Sequence, residues 1–173
     1  RTYVYRILHS VNEQAWAAPF EWDRSWRVND TKPLDIEAMR QSAQVLLGEH
    51  DFTSFRAARC QRKSPVVSVR DIQIHGVPYG SFTSSIFGEQ QQLLGLEGGD
   101  TNCQIVSIVF RANSFLYRQV RNMMGCLVVA GQGKMTVDQV RELLHAKDRS
   151  AAPTMAPAHG LFLVDVQHAG LVI

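Results

Sequence analysis

Cysteine is scarce in this chain: Cys60, Cys103 and Cys126 are the only three in 173 residues, and no Cys-x-x-Cys pair occurs. An odd, scattered set excludes a disulfide framework as the basis of the fold and fits a reducing, intracellular compartment, without choosing among cytoplasm, nucleus and mitochondrion. Metal ligation has no visible basis either, because the six histidines form no His-x-x-x-His pair and no cluster with cysteine. Long apolar runs are missing. The longest, Cys126–Ala130, is far short of the roughly 18 residues that cross a membrane as a helix. Net charge is nearly missing too: 18 basic residues against 16 acidic leave +2, which by itself names no partner.

Familiar catalytic loops are absent as well. Gly131-Gln-Gly-Lys-Met-Thr136 superficially suggests a phosphate loop. Val128 stands where the first glycine belongs, however, and Met135 where Ser or Thr must follow the lysine. There is no Gly-x-Ser-x-Gly nucleophile elbow. The chain opens on Arg1 rather than Met, so the lack of a leader peptide carries no information.

What is present is an ordinary globular composition, 45% hydrophobic and 20% charged, on a length sufficient for one well-buried core. Arg1–Leu8 alternates like a strand. Trp16–Lys32 shows no clean periodicity and reads as a loop packing Trp16, Phe20, Trp22 and Trp26. Asp35 opens a helix through Met39, Ala43 and Leu47, with Gly48 as its stop. Val66–His75 reads as a strand whose apolar parity switches near Arg70, the mark of a bulge. Gly76–Gly80 carries turn residues, Ser81–Phe87 reads as a strand, and Gly88–Asn102 as a long loop. Cys103–Arg111 is a strand, Ser114–Gly131 a helix, and Thr136-Val-Asp-Gln139 a capping box opening a last helix. Ala151–Ala158 is a loop, and Leu161–Gln167 a closing strand. This order predicts an α+β fold: a mostly antiparallel sheet with helices packed on one face.

The charges are unevenly placed. Phe52–Arg70 holds Arg56, Arg59, Arg62, Lys63 and Arg70 and no acid; Thr101–Val137 holds Arg111, Arg118, Arg121 and Lys134 and no acid. Half of the basic residues and none of the acidic ones lie in these two windows. If the windows meet in space they make a one-sided positive surface suited to a polyanion such as RNA. Gly125, inside a helix where glycine costs about 1 kcal/mol relative to alanine, points to a close approach of backbone or ligand.

Arg1-Thr-Tyr-Val-Tyr-Arg6 resembles the Arg-x-Tyr-x-Tyr strand of the TruA family of tRNA pseudouridine synthases. Leu34–Met39 followed by Leu47-Gly-Glu-His-Asp-Phe-Thr-Ser-Phe55 is similar to that family's helix and loop. Phe110-Arg-Ala-Asn-Ser-Phe-Leu-Tyr-Arg-Gln-Val-Arg-Asn-Met-Met-Gly125 resembles its strand-to-helix motif. Ala146–Arg149 and Ala156-Pro-Ala-His-Gly-Leu161 resemble its C-terminal signature. These blocks fall in the family's order along nearly the whole chain. The family's catalytic aspartate lies in an Arg-Thr-Asp-x-Gly-Val-His motif upstream of the Arg-x-Tyr strand, and none of the nine aspartates here has that context. The resemblance therefore implies that residues 1–173 are the C-terminal portion of a pseudouridine synthase catalytic domain, with the nucleophile on another segment and this portion alone inactive. Two further departures, the long Gly88–Asn102 stretch and Met155 in place of Thr, leave the implied chemistry untouched.

The implied reaction isomerises uridines of tRNA to pseudouridine by base flipping, with no cofactor and no metal. It needs a stacking aromatic, a nucleophilic carboxylate and a cation to hold that carboxylate ionised. By resemblance Tyr3 is the stacking tyrosine and Arg121 the cation, both reaching a cleft on the sheet face away from the helices. Leu116 and Phe115 wall the uracil pocket, although core packing would explain both nearly as well. Arg56, Arg59, Arg62, Lys63 and Arg118 contact phosphates, and Asp148 makes a helix-end ion pair. The expected partner is tRNA, with no membrane, and a homodimer is allowed. Two rivals stand beside this reading: a catalytically inactive RNA-binding subunit or clamp, and a generic α+β ligand-binding domain, which predicts no basic groove.

Overall fold

Tyr5 and Ile7, alternate residues of the first strand, are both wholly buried, and the sheet is built around that strand. The computed structural model describes residues 1–11, 21–78 and 103–167. Its elements run β1 (Thr2–Val11), β2 (Trp26–Asp30), α1 (Ile36–Val45), β3 (Gly48–Asp51), a single 3-10 turn (Thr53–Phe55), β4 (Val66–Pro78), β5 (Cys103–Ala112), α2 (Gln119–Gly131), α3 (Val137–Ala146) and β6 (Leu161–Asp165).

Among the described residues the sheet has six strands in the order β2-β1-β5-β4-β3, with β6 also on β1. On one side β1 pairs antiparallel with β5 from Thr2 opposite Arg111 to Ser10 opposite Cys103. On its other side it is shared: β6 pairs antiparallel with Thr2–Tyr5, and β2 pairs parallel with Ile7–Val11. The β4–β5 register shifts between Val69 and Asp71. The bulge at Arg70 lets Val67 and Val69 before it, and Ile72 and Ile74 after it, all be buried.

The helices cover one face, and Tyr5, Ile7, Val106, Ile108, Phe110, Ile72 and Ile74 form one cluster with Met39, Met123, Met124, Leu127 and Leu144 beneath them. Asp35 caps α1 by accepting the Ala38 N–H at 2.9 Å, and Thr136 and Gln139 form the capping box of α3. α2 is buried along nearly its whole length, which explains its apolar composition. Two of its glycines are contact points. A Cβ on Gly125 would lie 2.1 Å from the Thr154 carbonyl oxygen, and one on Gly131 2.7 Å from Met39 Cγ. The close approach expected at Gly125 is thus to backbone.

Four expectations are corrected. Trp26–Asp30 is a strand rather than part of a loop, with Trp26 edge-on to Tyr5 at 6.3 Å. Trp22 is exposed instead of packed, with Arg27 over its ring. Gly76–Pro78 continues β4 opposite Val106–Gln104 instead of turning, because β5 offers it a partner. α2 begins at Gln119 rather than Ser114, since Arg118 is left-handed (φ 63°) and the Leu116 N–H is taken by the Gln119 side chain at 2.8 Å. Gly48, besides following α1 with a φ of 95°, opens β3. The expectations for Trp16, Phe20, Ser81–Phe87 and Gly88–Asn102 lie outside the described residues.

Candidate active site and nucleic-acid interface

Strand alternation puts Tyr3 on the same face as Tyr5 and Ile7, and that face lies under the helices. The cleft was expected on the opposite face; Tyr3 and Arg121 instead share the helical side, where α2 begins. The Tyr3 ring meets Phe115 edge-on, with centroids 5.5 Å apart. Arg121, in the first turn of α2, donates from Nε to the Ala156 carbonyl at 2.7 Å, while the Ala156 N–H donates back to the Arg121 carbonyl at 3.1 Å. The neighbouring Pro157 carbonyl accepts the Tyr5 hydroxyl at 2.7 Å. Burial pushes the Tyr5 hydroxyl pKa well up, an effect that the Arg121 charge only partly offsets. Tyr5 is therefore a fixed neutral donor. Gly160 allows this segment to lie against β1, since a Cβ there would meet the Arg6 carbonyl and the Tyr5 ring at 2.8 Å.

Arg121 is half-buried and, among the described residues, pairs with no carboxylate. A partly desolvated cation without a carboxylate is suited to receive an anion, because removing water strengthens the charge's reach. Its footing is rigid. Asn122, the next residue and fully buried, donates to the Phe55 carbonyl at 2.7 Å and accepts from Arg149 at 3.0 Å. Arg149 also holds the Ala152 and Pro153 carbonyls at 3.2 and 3.4 Å.

The two acid-free windows do meet. Arg62 donates to Ser114 Oγ at 2.6 Å, the Ala57 N–H to the Tyr117 carbonyl at 3.3 Å, and the Tyr117 N–H to Cys60 Sγ at 3.4 Å. A cavity of about 480 Å³ opens between them, lined by Arg59, Cys60, Gln61, Arg62, Phe115, Leu116 and Tyr117. Burial raises the Cys60 thiol pKa, but the N–H groups of Tyr117 and Arg62 and the side chain of Arg56 outweigh it, leaving the thiol below its usual range.

The expected phosphate contacts divide. Arg59 and Lys63 are exposed and make no ion pair among the described residues; Arg118 is exposed and lies over the Tyr117 ring at 4.9 Å. Arg56 instead braces the loop through the Cys60 carbonyl at 3.0 Å and the Arg62 carbonyl, and Arg62 is half committed to Ser114. Arg111 is paired with Asp71, and Lys134 with Asp30 beyond the far end of α2. Leu116 is buried and Phe115 partly so, both facing the cavity as well as the core. Asp148 makes no ion pair among the described residues; it accepts the Ser150 N–H and hydroxyl, which hold its carboxyl pKa below the usual range. No group of three or more His, Cys, Asp or Glu among the described residues is placed for a metal ion, and no helix there is long and apolar enough to cross a membrane.

Sequence reasoning missed Tyr5, Asn122 and Arg149 as supports and Tyr117 as a surface feature. The signal was available for all four, since each lies inside one of the motif blocks.

A family model described as tRNA pseudouridine synthase matches residues 42–168. The chain belongs to the tRNA pseudouridine synthase family. It is 43% identical over 165 residues to tRNA pseudouridine synthase A of Rhodospirillum centenum, covering 95% of this chain and 55% of that protein. To the proteins of the same name from Maricaulis maris and Paraburkholderia phymatum it is 41% and 38% identical, covering 98% and 96% of this chain and 56% and 51% of theirs. The chain thus spans about half the length of the curated synthases it matches.

Proposed function

We propose that these residues form the base-holding, cation-bearing part of a tRNA pseudouridine synthase that turns uridines of tRNA into pseudouridines. The carrying observation is Arg121: a half-buried guanidinium, fixed by Ala156 and close enough to Tyr5 to act on its hydroxyl, with no carboxylate partner among the described residues.

In this reading residues 1–173 are a C-terminal portion of the catalytic domain, and the nucleophilic aspartate comes from outside them. Arg121 pairs with that carboxylate, lowering its pKa and aiming it. The target uridine leaves its stack, and its base lies against Tyr3 with Phe115 and Leu116 as walls. The C1′–N1 bond breaks, the uracil turns, a C1′–C5 bond forms, the C5 proton leaves and N1 gains one. Atoms and electrons balance without a co-reactant. Arg59, Lys63 and Arg118, together with the less available Arg56 and Arg62, hold phosphates along the acid-free surface.

The experiment is tritium release from uridine-labelled unmodified tRNA, run with the full-length protein, with residues 1–173 alone, and with full-length Tyr3→Ala and Arg121→Ala. Full-length wild type turns over and the isolated portion does not. Arg121→Ala loses roughly 10²–10³ in rate, the scale of losing one positioned charge interaction. Turnover by residues 1–173 alone would overturn the assignment of the nucleophile. Full-length protein that binds tRNA and never isomerises it would favour the inactive clamp.

A further inference from the structure

Tyr117 is half exposed, 50% by surface, yet its backbone is held on both sides, by Cys60 Sγ at its N–H and by the Ala57 N–H at its carbonyl. The next residue, Arg118, is in the left-handed region at φ 63°. A side-chain-bearing residue there costs roughly 1 kcal/mol or more, and such strain persists where surroundings impose it, often at ligand sites. Its result is visible: the Arg118 guanidinium lies over the Tyr117 ring.

Two cavities flank that pair. One is the space of about 480 Å³ bordered by Phe115 and Leu116; the other, of about 270 Å³, is lined by Ala57, Ala58, Arg59, Tyr117 and Arg118. Arg59 and Tyr117 line both, so they form the partition. No acidic side chain among the described residues lines either cavity. Phe115, two residues before Tyr117, carries the Tyr3 ring. The same short segment therefore offers aromatic surface at Tyr3–Phe115 and again at Tyr117.

We propose that Tyr117, backed by Arg118 and flanked by Arg59, is a stacking platform for a second unpaired nucleobase, next to the one held at Tyr3, in the same RNA strand. The proposal rests on the tRNA reading above and adds a subsite to it. An aromatic face with guanidinium planes around it suits a base, which is apolar on its faces and linked at its edge, through ribose, to phosphates. A peptide side chain would leave the surrounding cations unused.

The test uses full-length protein and two probes: unmodified tRNA, and a single-stranded oligoribonucleotide with a fluorescent base analogue beside the target uridine. Tyr117→Leu, which keeps bulk without the π face, and Tyr117→Ala weaken binding about 5- to 150-fold. Tyr117→Phe and Tyr117→Trp stay within about twofold of wild type. The salt slope is unchanged in all four, because stacking releases no counterions, whereas Arg59→Ala lowers it by about one. The analogue is quenched by wild type and the Phe variant and not by the Leu variant. Binding of the Leu variant within twofold of wild type overturns the proposal. So does Phe losing as much as Ala, which would assign the role to the hydroxyl. Tyr117-dependent binding without turnover would sustain the subsite while the catalytic reading fell; absence of any RNA binding by wild type would end both.

Discussion

At its C-terminal end α2 closes against its neighbours. The Gly131 carbonyl accepts the Asp35 N–H at 2.8 Å, Met39 fills the space a side chain would need, and Lys134 reaches Asp30 at 3.5 Å. At its N-terminal end, about 20 Å away for thirteen residues, the helix is preceded by a left-handed arginine and has no side-chain cap; an exposed tyrosine and two open cavities lie beside it. Positive charge at the closed end is neutralised; at the open end Arg59, Lys63, Arg118 and Arg121 have no acidic partner among the described residues. One element thus obeys local rules where it only packs and departs from them at the end proposed to meet tRNA, the pattern expected when function is retained against local preference.

The largest effect that could break this comparison is at the glycines. Gly125→Ala drives a Cβ into the Thr154 carbonyl, which is backbone and cannot step aside. We expect a loss of about 3 kcal/mol, the upper part of the overpacking range, and a further loss of rate because Ala156 moves with Thr154. Gly131→Ala presses on Met39, an unbranched and adaptable side chain, and touches Leu34 at 3.4 Å, and should cost about 1 kcal/mol. Urea unfolding of both variants checks this, and equal costs would show that the packed backbone at mid-helix yields as readily as the Met39 side chain at the closed end.

Next in size is Arg118→Gly. It relieves a left-handed conformation and should raise stability by about 0.5–1 kcal/mol while weakening tRNA binding. Lys147, also left-handed at φ 52°, ends α3 away from the cavities. Lys147→Gly should give a similar gain without changing binding. Comparing thermal unfolding with RNA titration in the two variants separates strain kept for a ligand from strain kept for a helix end.

The features that local chemistry dictates were legible in the residues. Asp35 and the Thr136–Gln139 box start their helices, and the parity switch places the bulge at Arg70. Tyr3 and Arg121 were reached through motif blocks, and the structure brings them to one side of the molecule. What long-range pairing decides was not legible. Trp26–Asp30 has no strand periodicity of its own and becomes β2 by lying parallel on β1. The late start of α2 depends on the Gln119 side chain taking the Leu116 N–H, a choice that no periodicity reports. The expected face was wrong because strand alternation sets Tyr3 beside Tyr5 and Ile7, under the helices, which were expected on the other side from the cleft.

The smallest expected effect concerns the closed end. His9 is wholly buried there. Burial lowers its pKa, against the opposing pull of Asp30 and of the nearby Lys32 backbone. A folded pKa below the unfolded value of about 6.5 means that the unfolded chain binds the proton more readily. The contribution is then complete above about pH 6.5 and is lost as pH falls through that value toward the folded one. Asp30, Asp51 and Asp148 have lowered carboxyl pKa values and titrate only in the more acidic range. The melting temperature should therefore drift down between pH 7 and pH 5.5 in wild type and stay flat in His9→Leu. An equal drift in both would show that the closed end has no part in it.

The Ala156–Leu161 segment has a mechanical consequence. Its successive carbonyls hold the Arg121 guanidinium and the Tyr5 hydroxyl, its Gly160 carbonyl accepts the Arg6 N–H at 2.9 Å, and it runs directly into β6 at the sheet edge. It behaves as a short tie-rod, fastened at one end to a strand and at the other to the cation. Sliding β6 along β1 by even a fraction of a residue would pull on the Tyr5 hydroxyl at Pro157 and, one residue further along, on Arg121 at Ala156. The aim of that charge is therefore set by the edge strand as well as by the helix on which the arginine sits.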